Sequence, residues 1–146
     1  MNAQLRTTSP VLLDTGFLIA LYDQTDSLHQ SARAWLRSFR GNFVCTDQVI
    51  TETCFFLPTE DKALLLEQLS GGYIDLVSLD AQAYRRVATI LRKYADLKPD
   101  LTDACLVWLA EKTGIHAIVT VDVNDFSTYR IGGRAKFDLL PWQAAS

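Results

Sequence analysis

Four carboxylates interrupt apolar segments of this chain. Asp14 directly follows Val11-Leu12-Leu13, and Asp122 directly follows Ile118-Val119-Thr120-Val121. Each is expected at the C-terminal end of a buried strand, where a charge needs compensation for lost water. The plain alternative is that each caps the helix or turn that follows, because Asp is a good N-cap. Glu52 lies mid-helix among Val49, Ile50, Cys54, Phe55 and Phe56. A helix that is apolar nearly all round is buried, so Glu52 is expected to point into something polar. Its alternative is an exposed strip of that helix. Asp103 stands in the first turn after Asp100, beside Leu101, Ala104 and Leu106. There the alternative is simple stabilisation of a helix start by negative charge.

If these carboxylates meet, their repulsion must be offset, and a divalent cation is the usual solution. Hard oxygen ligands select Mg²⁺, with Mn²⁺ as its substitute. Water on such a cation is more acidic and can attack a phosphodiester, and a second cation can stabilise the leaving oxygen. The chemistry implied is metal-assisted phosphodiester hydrolysis. Asp125, three residues beyond Asp122, competes for the fourth place. Strand-end position favours Asp122 as the inner group, with Asp125 as a supporting partner. No Ser–His–Asp arrangement competes: the two histidines, His29 and His116, fall on a polar helix start and in a strand. Both are read as structural.

The elements that must position these acids alternate in type. Val11–Asp14 is a short apolar run, then Asp26 and Ser27 cap a helix reaching about Phe39. Phe43–Cys45 is a second brief strand, and Thr46 caps a helix that Pro58 stops. Thr59–Leu69 is helical up to Gly71-Gly72, and Tyr73–Leu79 alternates like a strand. Asp80 caps a fourth helix, Asp100 begins a fifth, and Gly114 ends it. Ile115–Val121 is the clearest strand, and a late one is expected near Phe137–Leu140. Strands alternating with helices of ten or more residues mean an α/β sandwich with a mostly parallel sheet. In such sheets ligands bind beyond the carboxyl ends of the strands.

Composition agrees with one globular domain over residues 1–146, the first ten being a polar leader. Of the residues 49% are hydrophobic and 21% charged, which excludes disorder and collagen. A chain this long buries roughly 68–70% of its unfolded surface, enough for a core without staples. Cys45, Cys54 and Cys105 form no Cys-x-x-Cys pair and are read as reduced and mostly buried. No apolar run is long enough for a membrane span, and no signal-peptide pattern is present, so a cytoplasmic compartment and no membrane partner are expected. The net charge of −3 removes a global basic field for nucleic acid, although an acidic nuclease centre would itself lower that number.

Four segments together resemble the PIN-domain ribonucleases, and within them the VapC-like toxins of bacterial toxin–antitoxin pairs. VLLDTGFLIALYDQTDSLHQSA resembles the family's opening strand, acid, small hydroxyl residue and following helix. TDQVITETCFFL resembles the second block, a Glu inside an apolar helix. LTDACLVWLAEKTG resembles the third, an Asp-Ala pair opening a helix that ends in Gly. IVTVDVNDF resembles the fourth, a strand ending in Thr-x-Asp with Asp-Phe close behind. Their order holds from Val11 to about Leu140. By this resemblance Asp14, Glu52 and Asp103 match the three central acids, Asp122 the more variable fourth, and Thr15 the neighbouring hydroxyl. The leader before the first strand and the abrupt stop at Pro58 depart from the family pattern.

The resemblance implies a PIN-like three-layer α/β/α sandwich. It implies a Mg²⁺-dependent, single-strand-specific endoribonuclease, commonly a homodimer, silenced by a small cognate antitoxin. The alternative is a PIN-like module that binds RNA or protein without catalysis. Against that alternative, the chain retains all four acids. A phosphatase of the haloacid-dehalogenase type needs a second Asp two residues beyond the first acid, and that neighbourhood holds Gly16 and Phe17 instead. A receiver domain wants a Lys at the end of a late strand, where this chain has Asp122. Arg33, Arg37 and Arg40 share one helix face, and Arg85, Arg86, Arg92 and Lys93 crowd another. Either set can serve phosphate contacts or be a solvated surface. Trp35 and Trp108 fall at core spacing.

Overall fold

The computed structural model describes residues 10–145. The leader expected at 1–10 therefore lies outside the described residues apart from the exposed Pro10. Five short strands form one parallel sheet: β1 (Val11–Leu13), β2 (Phe43–Thr46), β3 (Ile74–Val77), β4 (Ala117–Val119) and, at its edge, β7 (Asp138–Leu139). The strand order is β3-β2-β1-β4-β7. Leu12 of β1 pairs with Val44 of β2 on one side and with Ile118 of β4 on the other. A separate two-stranded hairpin joins β5 (Arg130–Ile131) to β6 (Ala135–Lys136).

Consecutive strand residues point to opposite faces. Every residue of β1 and of β2 is buried, so both faces of the sheet are covered. The cover is helical: α1 (Thr15–Tyr22), α2 (His29–Ser38), α3 (Asp47–Phe56), α4 (Thr59–Gln68), α5 (Ala81–Lys93), α6 (Leu101–Thr113) and α7 (Val123–Thr128). This is the three-layer α/β/α arrangement expected from the alternating pattern. Phe17 sits in the core between Trp35, Phe43 and Trp142, in edge-on or tilted ring contacts. Trp35 and Trp108 pack against the core, as their spacing requires.

Several boundaries differ from the sequence-based expectation. Helix α1 had no periodic signal of its own. It buries Thr15, Phe17, Leu18 and Ala20, and a segment apolar on nearly all sides shows no amphipathic period. Asp26 does not cap α2 directly. Its Oδ1 accepts from the Leu28 N–H at 2.8 Å in a preceding turn, and the helix starts at His29. Strand β4 runs from Ala117 to Val119 rather than to Val121, and Thr120 just beyond it donates its hydroxyl to Asp14. Helix α7 and the hairpin are short local structures with no long pattern to announce them. The expectation that α3 is buried all round is wrong: Phe55 and Phe56 are 80% and 59% exposed. Only Val49, Ile50 and Thr53 of that helix are buried, with Cys54 half-buried against the core.

Cys45 and Cys105 are buried, Cys54 is half-buried, and none is bonded to another. His29 is buried, and its Nδ1 donates to the Ala20 carbonyl at 2.8 Å, a structural tie between α2 and α1. His116 is exposed. Among the described residues no helix is long and apolar enough to cross a membrane.

Candidate active site

The order of the strands locates a crevice. From β1 the chain steps outward to β2 and β3, then returns to place β4 on the other side of β1. Connections on either side of β1 and β4 therefore diverge, and a cleft opens at their carboxyl ends. Asp14 is the first residue after β1, and Asp122 follows β4 by three residues. Asp103 enters from the first turn of α6.

These three side chains converge. Asp14, Asp103 and Asp122 each place a carboxylate oxygen within 4.8 Å of the others. Asp14 is buried, 3% exposed, and both its oxygens are held. Oδ1 accepts from the Thr15 N–H at 2.8 Å, and Oδ2 accepts from the Thr120 hydroxyl at 2.6 Å. Asp14 is thus both the N-cap of α1 and a member of the acidic group. The two readings of that residue are one structure. Asp103 is also buried, and its Oδ2 accepts from the Tyr129 hydroxyl at 3.1 Å. Asp122 is exposed and stands at the N-cap position of α7, yet its side chain makes no capping bond. Its backbone N–H donates to Thr120 Oγ1 at 2.9 Å, so one threonine orients two of the acids.

Burial governs the electrostatics. Desolvation is the main cause that pushes the Asp14 carboxyl up to about 7, against the hydrogen bonds from Thr120 and Thr15. Asp103 is pushed up to about 8 by desolvation, with the charges of Asp14, Asp100 and Asp122 adding to it. Asp122 is raised as well, by desolvation and then by Asp125, Asp100 and Glu52. Among the described residues the one ion pair is Arg86–Glu111, so no Lys or Arg neutralises this group. Clustered hard oxygens, partly dehydrated and lacking a cation partner, fit a divalent metal ion.

Glu52 lies outside the group of three. It is half-buried on α3, accepts from the Thr102 hydroxyl at 3.3 Å, and its charge is felt at Asp122. It lines an open groove with Gln48, Phe55, Phe56 and Leu101, on the flank of the acidic centre. Asp125 is not in the group either, so Asp122 occupies the inner place. Thr15 is buried with its hydroxyl unpartnered beside Asp14. Of the basic candidates, Arg33, Arg37, Arg40, Arg85, Arg92 and Lys93 are exposed, whereas Arg86 is tied up by two bonds to Glu111.

Sequence reasoning assigns no part in the acidic centre to three residues that shape it, and reads Asp100 only as a helix start. Asp100 caps α6 through the Asp103 N–H at 2.8 Å and adds its charge to all three acids. Thr120 had a signal, its place two residues before Asp122. Tyr129 had none, because its contact joins two helices through a side chain.

Known proteins resemble this chain in sequence and fold. Ribonuclease VapC26 of Mycobacterium tuberculosis is 27% identical over 135 residues, spanning 90% of this chain and 100% of that protein. Among solved structures, VapC20 of the same organism, described as a sarcin-ricin loop cleaving toxin, superposes with a TM-score of 0.69 at 17% identity. That match covers 75% of this chain and 87% of VapC20. A toxin–antitoxin complex from Klebsiella pneumoniae gives 0.61 at 17% identity, over 81% of this chain and 91% of its own. Such identities establish the shared fold. The family model described as the PIN domain matches residues 11–131, which contain every strand-end acid described above, and the chain belongs to the PIN-domain family.

Proposed function

We propose that this chain is a Mg²⁺-dependent, single-strand-specific endoribonuclease and the toxin of a toxin–antitoxin pair. The observation that carries the reading is the convergence of Asp14, Asp103 and Asp122 without a basic partner. Membership of the PIN family, the likeness to a ribonuclease, and the toxin–antitoxin neighbours support it. The three aspartates, with Glu52 on the flank, would hold Mg²⁺, or Mn²⁺ in its place. When bound, that ion acidifies water and stabilises charge on the scissile phosphodiester.

The chain's own residues do the positioning. Thr120 and the Thr15 N–H fix the Asp14 carboxylate, and Thr120 also fixes the backbone entering Asp122. Glu52 is placed on the flank, where its carboxylate can orient water or a second ion. Unstacked bases of a single strand would lie against the exposed Phe55 and Phe56 that line the groove beside it, a contact that paired bases of a duplex would not offer. A small cognate antitoxin and a second copy of the chain are the proposed protein partners.

The test is cleavage of a single-stranded RNA by the purified chain. Cleavage is expected in Mg²⁺, none after chelation, and recovery on adding Mn²⁺. RNA binding without cleavage in either metal would overturn this reading in favour of the non-catalytic module.

A further inference from the structure

Helix α7 meets the acidic centre at both ends. Its N-cap is Asp122 and its C-cap is Tyr129. Tyr129 is 1% exposed, and its hydroxyl makes the only side-chain hydrogen bond to the Asp103 carboxylate among the described residues. Asp14, by contrast, is held at both oxygens. An aspartate with one side-chain donor and three repelling neighbours depends on that donor for its orientation.

The tyrosine itself is fixed on every side. Its N–H donates to the Asp125 carbonyl at 3.0 Å. Its carbonyl accepts from the Arg130 guanidinium at 3.0 Å, and the next N–H, of Arg130, donates to the Tyr94 hydroxyl at 2.9 Å. The ring makes edge-on contacts with Tyr94 and Phe126, both at 5.0 Å. The hairpin that follows is anchored by the Gly132 N–H on Glu111 Oε1 at 3.2 Å, and Arg86 grips that same carboxylate.

We propose that Tyr129 is a positioning residue, whose hydroxyl holds the Asp103 carboxylate in one orientation for a divalent cation shared with Asp14 and Asp122. The inference rests on the metal-dependent reading above. Partners of this kind behind a ligand are worth ten- to a hundredfold in metal affinity or activity.

The experiment compares wild type, Tyr129→Phe and Tyr22→Phe. Both substitutions remove one partly or fully buried hydroxyl and keep the ring contacts. Mn²⁺ affinity is measured by calorimetry on the metal-free chain, with thermal unfolding alongside. Tyr129→Phe should weaken Mn²⁺ about tenfold, and Tyr22→Phe, whose hydroxyl bonds Gln68 away from the acids, should leave it unchanged. The Mg²⁺ concentration giving half-maximal RNA cleavage should rise by the same factor in Tyr129→Phe alone. Equal Mn²⁺ affinity in wild type and Tyr129→Phe overturns the inference. Equal weakening in both variants also overturns it, since that is what a packing role gives. No Mn²⁺ binding by wild type overturns the metal-dependent reading itself, and this inference with it.

Discussion

At the scale of single residues the acids carry opposite demands. Each is costly to bury as an anion and useful for that reason once a cation arrives. We expect Asp14→Asn and Asp103→Asn each to abolish RNA cleavage while keeping the fold, with equal or higher thermal stability in the absence of metal. Wild-type rates from either variant would remove that acid from the centre. Asp122→Asn should slow cleavage and weaken Mn²⁺ more than Asp125→Asn, because only Asp122 reaches the other two. The reverse order would show that Asp125 is the working carboxylate. The raised carboxyls also set a pH dependence. In the unfolded chain Asp14 and Asp103 titrate near 3.8, and in the folded chain near 7 and 8. Below about pH 4 both states are protonated, and the two groups do not affect stability. As pH rises from about 4 to about 8, the unfolded state loses these protons first. Metal-free stability must therefore fall across that window. Metal needs the deprotonated ligands, so the gain in Tm on adding Mg²⁺ should be larger at pH 8 than at pH 6. A Tm gain independent of pH would contradict the burial of these groups.

At the scale of elements the site depends on how closely α1 approaches the turn after β4. Gly16 makes that approach possible: a Cβ there would lie 2.5 Å from Val121 Cγ2. Val121 sits between Thr120, which binds Asp14, and Asp122. Gly16→Ala should therefore displace this turn, costing about 1–3 kcal/mol as an overpacked contact, and slow cleavage. Adding Val121→Ala to the same chain removes the atoms in collision and should restore most of both. Additive losses in the double variant, by thermal unfolding and RNA cleavage, would refute the steric account.

At the scale of the whole molecule, the strand order gathers acids from both halves of the chain. Asp14 directly follows the first strand, while Asp103 and Asp122 come from the last third of the sequence. On the proposed reading as a toxin, the acidic centre would have a cellular consequence. Expression of the chain alone should halt bacterial growth, and Glu52→Gln at equal soluble level should not. Unimpaired growth with the wild-type chain would leave a ribonuclease that is not a toxin.

Much of this was legible in the residues themselves. Apolar runs ending in Asp14 and near Asp122, helices closed by Pro58 and Gly114, and the caps Asp80 and Asp100 are local signals, each written within a few positions. They were enough for the α/β class, the PIN resemblance and the set of acids worth examining. Contacts between distant segments were not. Which acids meet, Glu52 standing aside, the threonine shared by Asp14 and Asp122, and the tyrosine behind Asp103 depend on strand order and side-chain direction. The exposure of Phe55 and Phe56 depends on them too, since periodicity cannot tell a buried apolar face from one left open. These are decided when the sheet brings β1 beside β4 and Tyr129, at the end of α7, reaches Asp103 on α6, because proximity across such distances is a property of packing rather than of neighbouring residues.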